Sequence, residues 1–155
     1  MDSAQKVRHT LDALFGAGVS RYLPKDAKFT YSKKTGRIQH VYSGEALLCT
    51  LRIDGGLAIT PKFAQMLLKS RKFRENCVEV DDDSKPFLEK GSSVFCGHIK
   101  WCGSNILVGS DVPVLHGGRV IAVGRAIISS EMMRSLKRGV AVKTRDSLKA
   151  VSEDG

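Results

Sequence analysis

The chain has 155 residues, of which 42% are hydrophobic, so it is long enough for one ordinary globular domain or two small ones. Its longest uncharged apolar runs are only the length of a β-strand, which excludes a transmembrane helix as an expected element. The net charge is +9 and the pI is about 9.6, so we expect an anionic partner, with nucleic acid favoured over a membrane.

An amphipathic helix is expected near the start of the chain. Four apolar residues fall on one helical face, namely Val7, Leu11, Leu14 and Phe15. Gly16 provides the stop signal. The apolar face of this helix needs a partner, and we expect the following residues to supply it as a sheet.

Two strands and a second helix follow. Residues 37–42 and 45–53 have the pattern of antiparallel strands joined at Ser43-Gly44. The side chains expected on the buried face are Leu47, Cys49, Leu51 and Ile53. Thr60 is suited to cap a helix that begins at Pro61. The inward side chains of that helix are expected to be Phe63, Met66 and Leu67.

A last strand at Val78 and Val80 would complete an α+β domain over residues 1–80, with helices packed on an antiparallel sheet. Asp81-Asp82-Asp83 then separates two basic segments. Residues 1–79 contain 14 Lys and Arg against 7 Asp and Glu, and residues 84–149 contain 11 against 4, so each segment carries +7. The acidic run is either a solvated linker or a spacer that keeps a nucleic acid off the junction. A second domain is expected over residues 84–149, with a tail over 150–155.

The second domain contains a well-specified hairpin. Val112, Val114 and His116 share one parity of the first strand. Gly117-Gly118 is a two-residue connection that tolerates positive φ at both positions, and residues 119–128 form the return strand. Both faces of the return strand are apolar, as in a small closed or half-closed barrel.

Gly124 interrupts the return strand. A glycine within a strand indicates a bulge, a bend, or close approach by another backbone or a ligand. Arg125 beside it offers a guanidinium suited to a phosphate, and the alternative is a structural bend with an arginine that extends to solvent.

A capped basic helix and a basic strand end the domain. Ser129 or Ser130 is expected at the N-cap and Gly139 at C′. The inner stripe would consist of Met132, Met133 and Leu136. Three cations occupy the predicted last turns, namely Arg134, Lys137 and Arg138, where they either complement the helix dipole or bind an anion. Lys143 and Arg145 lie on one face of the strand that follows.

Five segments of this region carry a family resemblance by their order and spacing. They are KGSSVFCGHIK (90–100), ILVGSDVPVL (106–115), IAVGRA (121–126), SSEM (129–132) and RGVAVK (138–143). Together they resemble a PUA domain, the RNA-binding module named for pseudouridine synthases and archaeosine transglycosylases. Three upstream segments, SKKTGRI (32–38), LLCTLRIDGGLAIT (47–60) and CVEVDDDSKPFLEKG (77–91), are similar to the part of archaeal tRNA-guanine transglycosylase that precedes this domain. The resemblance covers about residues 10–146.

The resemblance implies a C-terminal β-pseudobarrel that grips RNA between its first loop and short helix, its second helix and its last strand. The corresponding residues here are Lys90, Gly91, Ser92, Ser93, Val94, Arg134, Lys137, Arg138, Lys143 and Arg145, to which Arg125 is added. Backbone amides of residues 91–93 are expected to bind a phosphate or a terminal ribose. The base-exchange chemistry of the transglycosylase lies in a separate, larger barrel for which 155 residues leave no room, so catalysis is not implied.

The first domain also contains basic clusters. Lys33, Lys34 and Arg37 surround the Thr35-Gly36 turn and are weaker candidates for RNA contact. A second cluster, also open to interpretation as a solvated face, is Arg71, Lys72 and Arg74. Exposed aromatic residues for base stacking are not evident, which favours recognition through backbone and shape.

The cysteines and histidines do not indicate catalysis. Cys49, Cys77, Cys96 and Cys102 form no C-x-x-C pair, so we expect no metal and interpret them as small buried hydrophobes in a reducing cytoplasm. The four histidines are scattered, and no nucleophile with its base is recognisable. We therefore expect no cofactor, no membrane contact and no enzymatic activity in this chain.

Our leading hypothesis is a non-catalytic binder of structured RNA, with tRNA near its acceptor end as the ligand, in connection with RNA modification. The first alternative is a separately encoded RNA-binding subunit of an archaeosine-type tRNA-guanine transglycosylase. The second is a translation factor associated with the ribosome. A pure protein-interaction domain is the least favoured reading.

Overall fold

A computed structural model describes residues 2–148 of the chain. The chain forms two compact units, Met1–Phe73 and Arg74–Gly155. The predicted class is confirmed, because helices and an antiparallel sheet form the first unit and a nearly closed β-barrel forms the second. No helix within residues 2–148 is both long enough and apolar enough to span a membrane. The predicted tail, residues 150–155, lies outside the described part.

The first unit opens with helix α1, Ser3–Phe15. Asp2 caps it by accepting a hydrogen bond from the Gln5 amide at 2.8 Å. Val7, Leu11 and Phe15 are buried as predicted, whereas Leu14 is 39% exposed at the edge of the apolar face. Helix α2, Pro61–Leu67, begins at the predicted cap, where the Thr60 hydroxyl accepts from the Phe63 amide at 3.2 Å.

Four antiparallel strands form the first sheet in the order β1-β2-β3-β4. Their bounds are β1, Lys28–Tyr31; β2, Ile38–Ser43; β3, Ala46–Leu51; and β4, Leu57–Ile59. The predicted alternation in β3 is wrong, because Val41 pairs with Cys49 while its neighbour Tyr42 pairs with Leu47. This bulge leaves Leu48 as an extra residue and buries it together with Cys49. Ile53 is fully exposed because the strand has already ended at a turn.

The second unit contains six strands in the order β6-β10-β9-β8-β5-β7. The strands are β5, Val78–Val80; β6, Val94–Phe95; β7, Ile99–Cys102; β8, Asp111–His116; β9, Arg119–Ala126; and β10, Val140–Ser147. The short helices are α3, Lys85–Glu89, and α4, Ser130–Ser135. Strands β6 and β7 lie at opposite ends of the order, yet only the turn Cys96–His98 separates them in the chain. The chain therefore closes the sheet into a pseudobarrel around one apolar core.

The predicted boundary between the two domains is wrong. Strand β5 does not join the first sheet, because it pairs parallel to β8 and antiparallel to β7. The acidic run that follows it is not a linker either. Asp81 accepts a hydrogen bond from the Ser84 amide at 3.0 Å and lies 2.9 Å from the His98 ring, and Asp82 lies 2.7 Å from the His116 ring. Asp81 and Asp82 are thus hydrogen-bonded within the second unit.

The predicted hairpin is confirmed. Strands β8 and β9 pair antiparallel, with His116 opposite Arg119. Gly117 and Gly118 connect them with φ angles of +58° and +79°, as a two-residue turn of this type requires.

Helix α4 is shorter than predicted. Ser129 caps it, but it ends at Ser135, and Leu136 is already extended. Gly139 is therefore not at the C′ position of the helix, and its carbonyl instead accepts a hydrogen bond from the Cys96 amide at 2.9 Å. Of the predicted inner stripe only Met133 is buried. Met132 lies within α4 but is exposed, and Leu136 is exposed beyond the end of the helix.

Candidate nucleic-acid interface

A groove of about 640 Å³ lies in the second unit between β7 and α4. Three cations line it, namely Lys100 from β7, Arg134 from α4 and Lys137 from the segment after α4. No Asp or Glu is among its lining residues in the described part of the chain. The groove therefore offers an anionic ligand attraction without competition from a carboxylate in its walls. We call it the Trp101 groove after its aromatic residue.

Trp101 lies in β7 and is 36% exposed. The Arg74 guanidinium lies 4.9 Å from the centre of its ring, which is within the range of a cation–π contact. The Arg74 guanidinium lies over the ring and also forms an ion pair with Glu79 at 3.4 Å. The part of the indole that lines the groove is a surface on which a nucleobase can stack.

One hydrogen bond and two buried thiols define the inner surface of the Trp101 groove. The Arg134 guanidinium donates a hydrogen bond to the Cys102 carbonyl at 3.1 Å, which ties α4 to the end of β7. Burial raises the pKa of the Cys96 and Cys102 thiols, so these lining groups stay neutral at pH 7. The two thiols therefore add no negative charge to the groove.

Two of the predicted RNA-binding residues, Arg134 and Lys137, lie together in this groove. Two further residues, Lys100 and Trp101, were not predicted. A signal for them exists in the sequence, because Trp101 is the chain's single tryptophan and directly follows the segment 90–100 that carries the family resemblance.

The predicted loop at residues 90–94 lies beside the last strand, as expected. The Thr144 hydroxyl donates to the Ser92 carbonyl at 2.7 Å, and Val94 pairs with Val142. However, the Gly91 and Ser92 amides donate to the Leu88 and Phe87 carbonyls and complete the end of α3.

The expectation that the Gly91 and Ser92 amides face a phosphate is therefore wrong for this structure. The side chain of Val94 is buried in the core and cannot contact a ligand. Lys90 is exposed and Ser93 is half-buried, so a role for these two residues stays a prediction.

The cations of the last two strands have different surroundings. Arg145 forms a bidentate ion pair with the buried Asp111, with N···O distances of 2.5 and 3.1 Å, and a longer contact with Asp146. Burial lowers the pKa of Arg145, but the hydrogen bonds and charge of Asp111 outweigh it and raise the pKa overall. This geometry makes Arg145 a structural residue first.

Arg125 and Lys143 are opposite each other in β9 and β10, and both are exposed. The Arg125 side chain donates to the Gly109 carbonyl at 3.4 Å. Arg138 is also exposed, in the segment between α4 and β10. These three cations are accessible to a ligand, and their binding of RNA stays a prediction.

In the first unit, Lys33, Lys34 and Arg37 lie in the turn between β1 and β2, and all three are exposed. The turn is closed by hydrogen bonds of 2.8 Å from the Gly36 amide to the Ser32 carbonyl and from the Ser32 amide to the Arg37 carbonyl. The cations are thus exposed as predicted, and none of the three lines the depressions of about 370 and 280 Å³ on the surface of this unit.

The two units match two known families. Residues 76–148 match the PUA domain, and residues 5–73 match the patch-forming domain C2 of tRNA-guanine transglycosylase. These ranges meet at the boundary that separates the two compact units. The chain is a PUA-domain protein with a preceding C2-type domain.

The chain resembles the C-terminal region of archaeal tRNA-guanine(15) transglycosylases. It is 36% identical over 148 residues to that of Methanothermobacter thermautotrophicus, a match that covers 94% of this chain and 23% of the relative. The match to the enzyme of Thermoplasma acidophilum is 34% identical over 143 residues and covers 91% and 23%. The chain thus spans about a quarter of the length of these relatives.

Solved structures show the same fold. A hypothetical protein from the hyperthermophilic archaeon Pyrococcus horikoshii is similar with a TM-score of 0.73 and 23% identity, over 96% of this chain and 93% of that one. A conserved PUA-domain protein from Thermoplasma acidophilum is similar with a TM-score of 0.66 and 21% identity, over 95% and 91%.

Proposed function

We propose that this protein binds RNA through the Trp101 groove of its PUA domain, and that its ligand is tRNA, contacted near the acceptor end. The observation that carries the proposal is the composition of the groove. Three cations line the groove together with an exposed tryptophan, and no carboxylate of residues 2–148 lines its walls. Lysine and arginine supply phosphate contacts, and an exposed aromatic ring supplies a stacking platform for an unpaired base.

The choice of tRNA is supported by the relatives, which are named as transglycosylases that act on tRNA guanine. The unpaired 3′ end of a tRNA combines a base free to stack with a phosphate backbone, which are the two ligand features that the groove suits. The match to only the C-terminal part of those enzymes supports a role without catalysis of its own.

A second candidate function is an RNA-binding subunit of a transglycosylase whose catalytic part is another polypeptide. It is favoured by the coverage of the curated relatives, since this chain corresponds to only 23% of their length. Co-purification with a catalytic transglycosylase chain would favour the subunit.

We expect tRNA to change the fluorescence of Trp101, because it is the single tryptophan of the chain and lies in the proposed site. In parallel, the affinity is measured by anisotropy of a labelled tRNA over a range of salt concentrations. Lys137→Gln should lower the slope of log K against log salt by about 0.7 to 0.9, the value for one phosphate contact.

Arg119→Gln is the matched control, because Arg119 is exposed in the same unit but does not line the groove. It should leave the slope nearly unchanged. Equal slopes for the two variants would remove Lys137 from the site, and an unperturbed Trp101 at saturating tRNA would contradict the groove as a whole. Removing the unpaired 3′ nucleotides of the tRNA should weaken binding, and unchanged binding would contradict the acceptor-end assignment alone.

A further inference from the structure

Two charged side chains contact the tryptophan of the Trp101 groove without lining the groove themselves. Glu79, in β5, is the direct cross-strand partner of Trp101 in β7, so the two side chains lie on the same face of the sheet. The Arg74 guanidinium lies over the indole, 4.9 Å from the ring centre, and its Nη2 atom is 3.4 Å from Glu79 Oε2. The three side chains therefore form one contact group, and only Trp101 belongs to the lining of the groove.

Glu79 is the fixed member of this group. Its Oε1 atom accepts a hydrogen bond from the Gly118 amide in the β8–β9 turn at 2.8 Å, while Oε2 pairs with Arg74. The side chain of Glu79 is 17% exposed, whereas that of Arg74 is 51% exposed. A carboxylate beside a site for RNA weakens the attraction for phosphate. Any favourable contribution of Glu79 to RNA binding therefore has to act through Arg74.

The position of Arg74 has two consequences for the indole. The guanidinium covers the ring face over which it lies, so a base cannot stack on that face. The cation–π contact also favours one orientation of the Trp101 side chain before any ligand is present. A side chain that is already ordered loses less conformational freedom when the ligand binds. The part of the ring that lines the groove is thus held ready for one base.

We propose that Arg74 is a positioning residue of the Trp101 groove, which orients the indole for a single unpaired base and does not itself bind phosphate. Glu79 acts one step behind it, because its carboxylate places the guanidinium over the ring. This inference rests on the proposed function, since it assigns a role within the same RNA-binding site. It makes the contribution of Arg74 depend on the base and not on the charge of the RNA backbone.

The first experiment compares the full chain and Arg74→Gln by anisotropy of two labelled tRNAs, one intact and one whose unpaired 3′ nucleotides lack their bases. Arg74→Gln should weaken binding of the intact tRNA by about two- to fivefold, the binding ratio that corresponds to one exposed cation–π contact. It should leave the affinity for the abasic tRNA and the slope of log K against log salt unchanged, because no phosphate contact is lost. Arg119→Gln, exposed in the same unit, is the charge-matched control and should treat the two tRNAs alike.

Glu79→Gln gives a result of opposite sign to simple electrostatics. Removal of a carboxylate near the groove should strengthen RNA binding if charge alone decides. We expect weaker binding of the intact tRNA instead, because the ion pair that places Arg74 over the indole is lost. Glutamine can still accept the hydrogen bond of the Gly118 amide, so the turn is retained. The matched control is Asp83→Asn, which removes an exposed carboxylate of the same unit and should not weaken binding.

The outcomes separate this inference from the proposed function. A chain that binds no tRNA at low salt, or whose Trp101 fluorescence does not respond to saturating tRNA, overturns both. If tRNA binds with a normal Trp101 response but Arg74→Gln weakens the intact and abasic tRNAs equally, only the positioning role is overturned. A decrease of the salt slope by about 0.7 to 0.9 would make Arg74 a phosphate contact and would overturn it too. Should urea unfolding show that Arg74→Gln is not folded, Arg74→Lys, which retains the charge but not the planar group, carries the same expectations.

Discussion

Replacement of Gly124 by alanine is expected to destabilise the PUA domain by about 3 kcal/mol, the upper part of the range for overpacking a well-packed interior. A Cβ atom at this position would lie 2.3 Å from the Lys143 carbonyl oxygen and 2.8 Å from a Val142 methyl group. Both partners belong to β10, which is paired with β9 along most of its length. A backbone oxygen in a ladder cannot move aside as a flexible side chain can, so β9 and β10 must separate locally.

The measurement is urea unfolding followed by Trp101 fluorescence, which reports on the second unit because the chain has no other tryptophan. Gly117→Asn serves as the control. Gly117 is the first residue of the two-residue turn, where asparagine followed by glycine is a preferred pair, its φ is +58°, and no atom lies within 4 Å of the added Cβ. We expect this control to stay close to the wild type. A Gly124→Ala midpoint equal to that of Gly117→Asn would show that β9 and β10 are less closely packed than the structure indicates.

Replacement of Arg145 by methionine is expected to cost about 3 kcal/mol of unfolding free energy, because it leaves the Asp111 carboxylate buried without its counter-charge. The Asp111 side chain is only 2% exposed, whereas that of Arg145 is 30% exposed. Asp111→Ala should therefore cost less, since the guanidinium left behind can turn toward water. The double variant should recover part of the loss, which a double-mutant cycle measures as a coupling energy.

A comparison of Arg145 with Lys143 distinguishes a structural cation from an RNA-binding cation on β10. Lys143 is exposed, and its replacement by alanine should leave the urea midpoint unchanged while lowering the salt slope of RNA binding by about 0.7 to 0.9. If Arg145→Met instead preserves stability and lowers the slope, Arg145 is available to RNA, and the ion pair with Asp111 is weaker than its geometry indicates.

The interpretation of charge changed most between sequence and structure. A run of three aspartates after a short apolar segment has the pattern of a linker, and it led to two equally basic segments on either side. The structure assigns Val78–Val80 to the barrel, where it pairs with β7 and β8, and thereby moves the acidic run into the PUA domain. With the boundary at Phe73, residues 1–73 carry a net charge of +8, and residues 74–155, which include the acidic run and Glu153-Asp154, carry +1.

The candidate site was predicted in part. Arg134 and Lys137 were expected from the family resemblance and do line the Trp101 groove, together with Lys100 and Trp101 from a strand more than thirty positions earlier. No spacing rule relates those two segments, because they meet only where α4 packs against β7.

The sequence alone determined the features that depend on neighbouring residues. The cap at Thr60, a serine cap at residue 129 or 130 and the glycine pair of the hairpin could be predicted from the sequence, because capping and turn chemistry act over a few residues. The tertiary structure decided the bulge at Leu48, the boundary at Phe73, the end of α4 and the pairing of Arg145 with Asp111. Each of these depends on which distant strand or side chain becomes a neighbour. That is determined only when the strands pair in register and pack on the two cores.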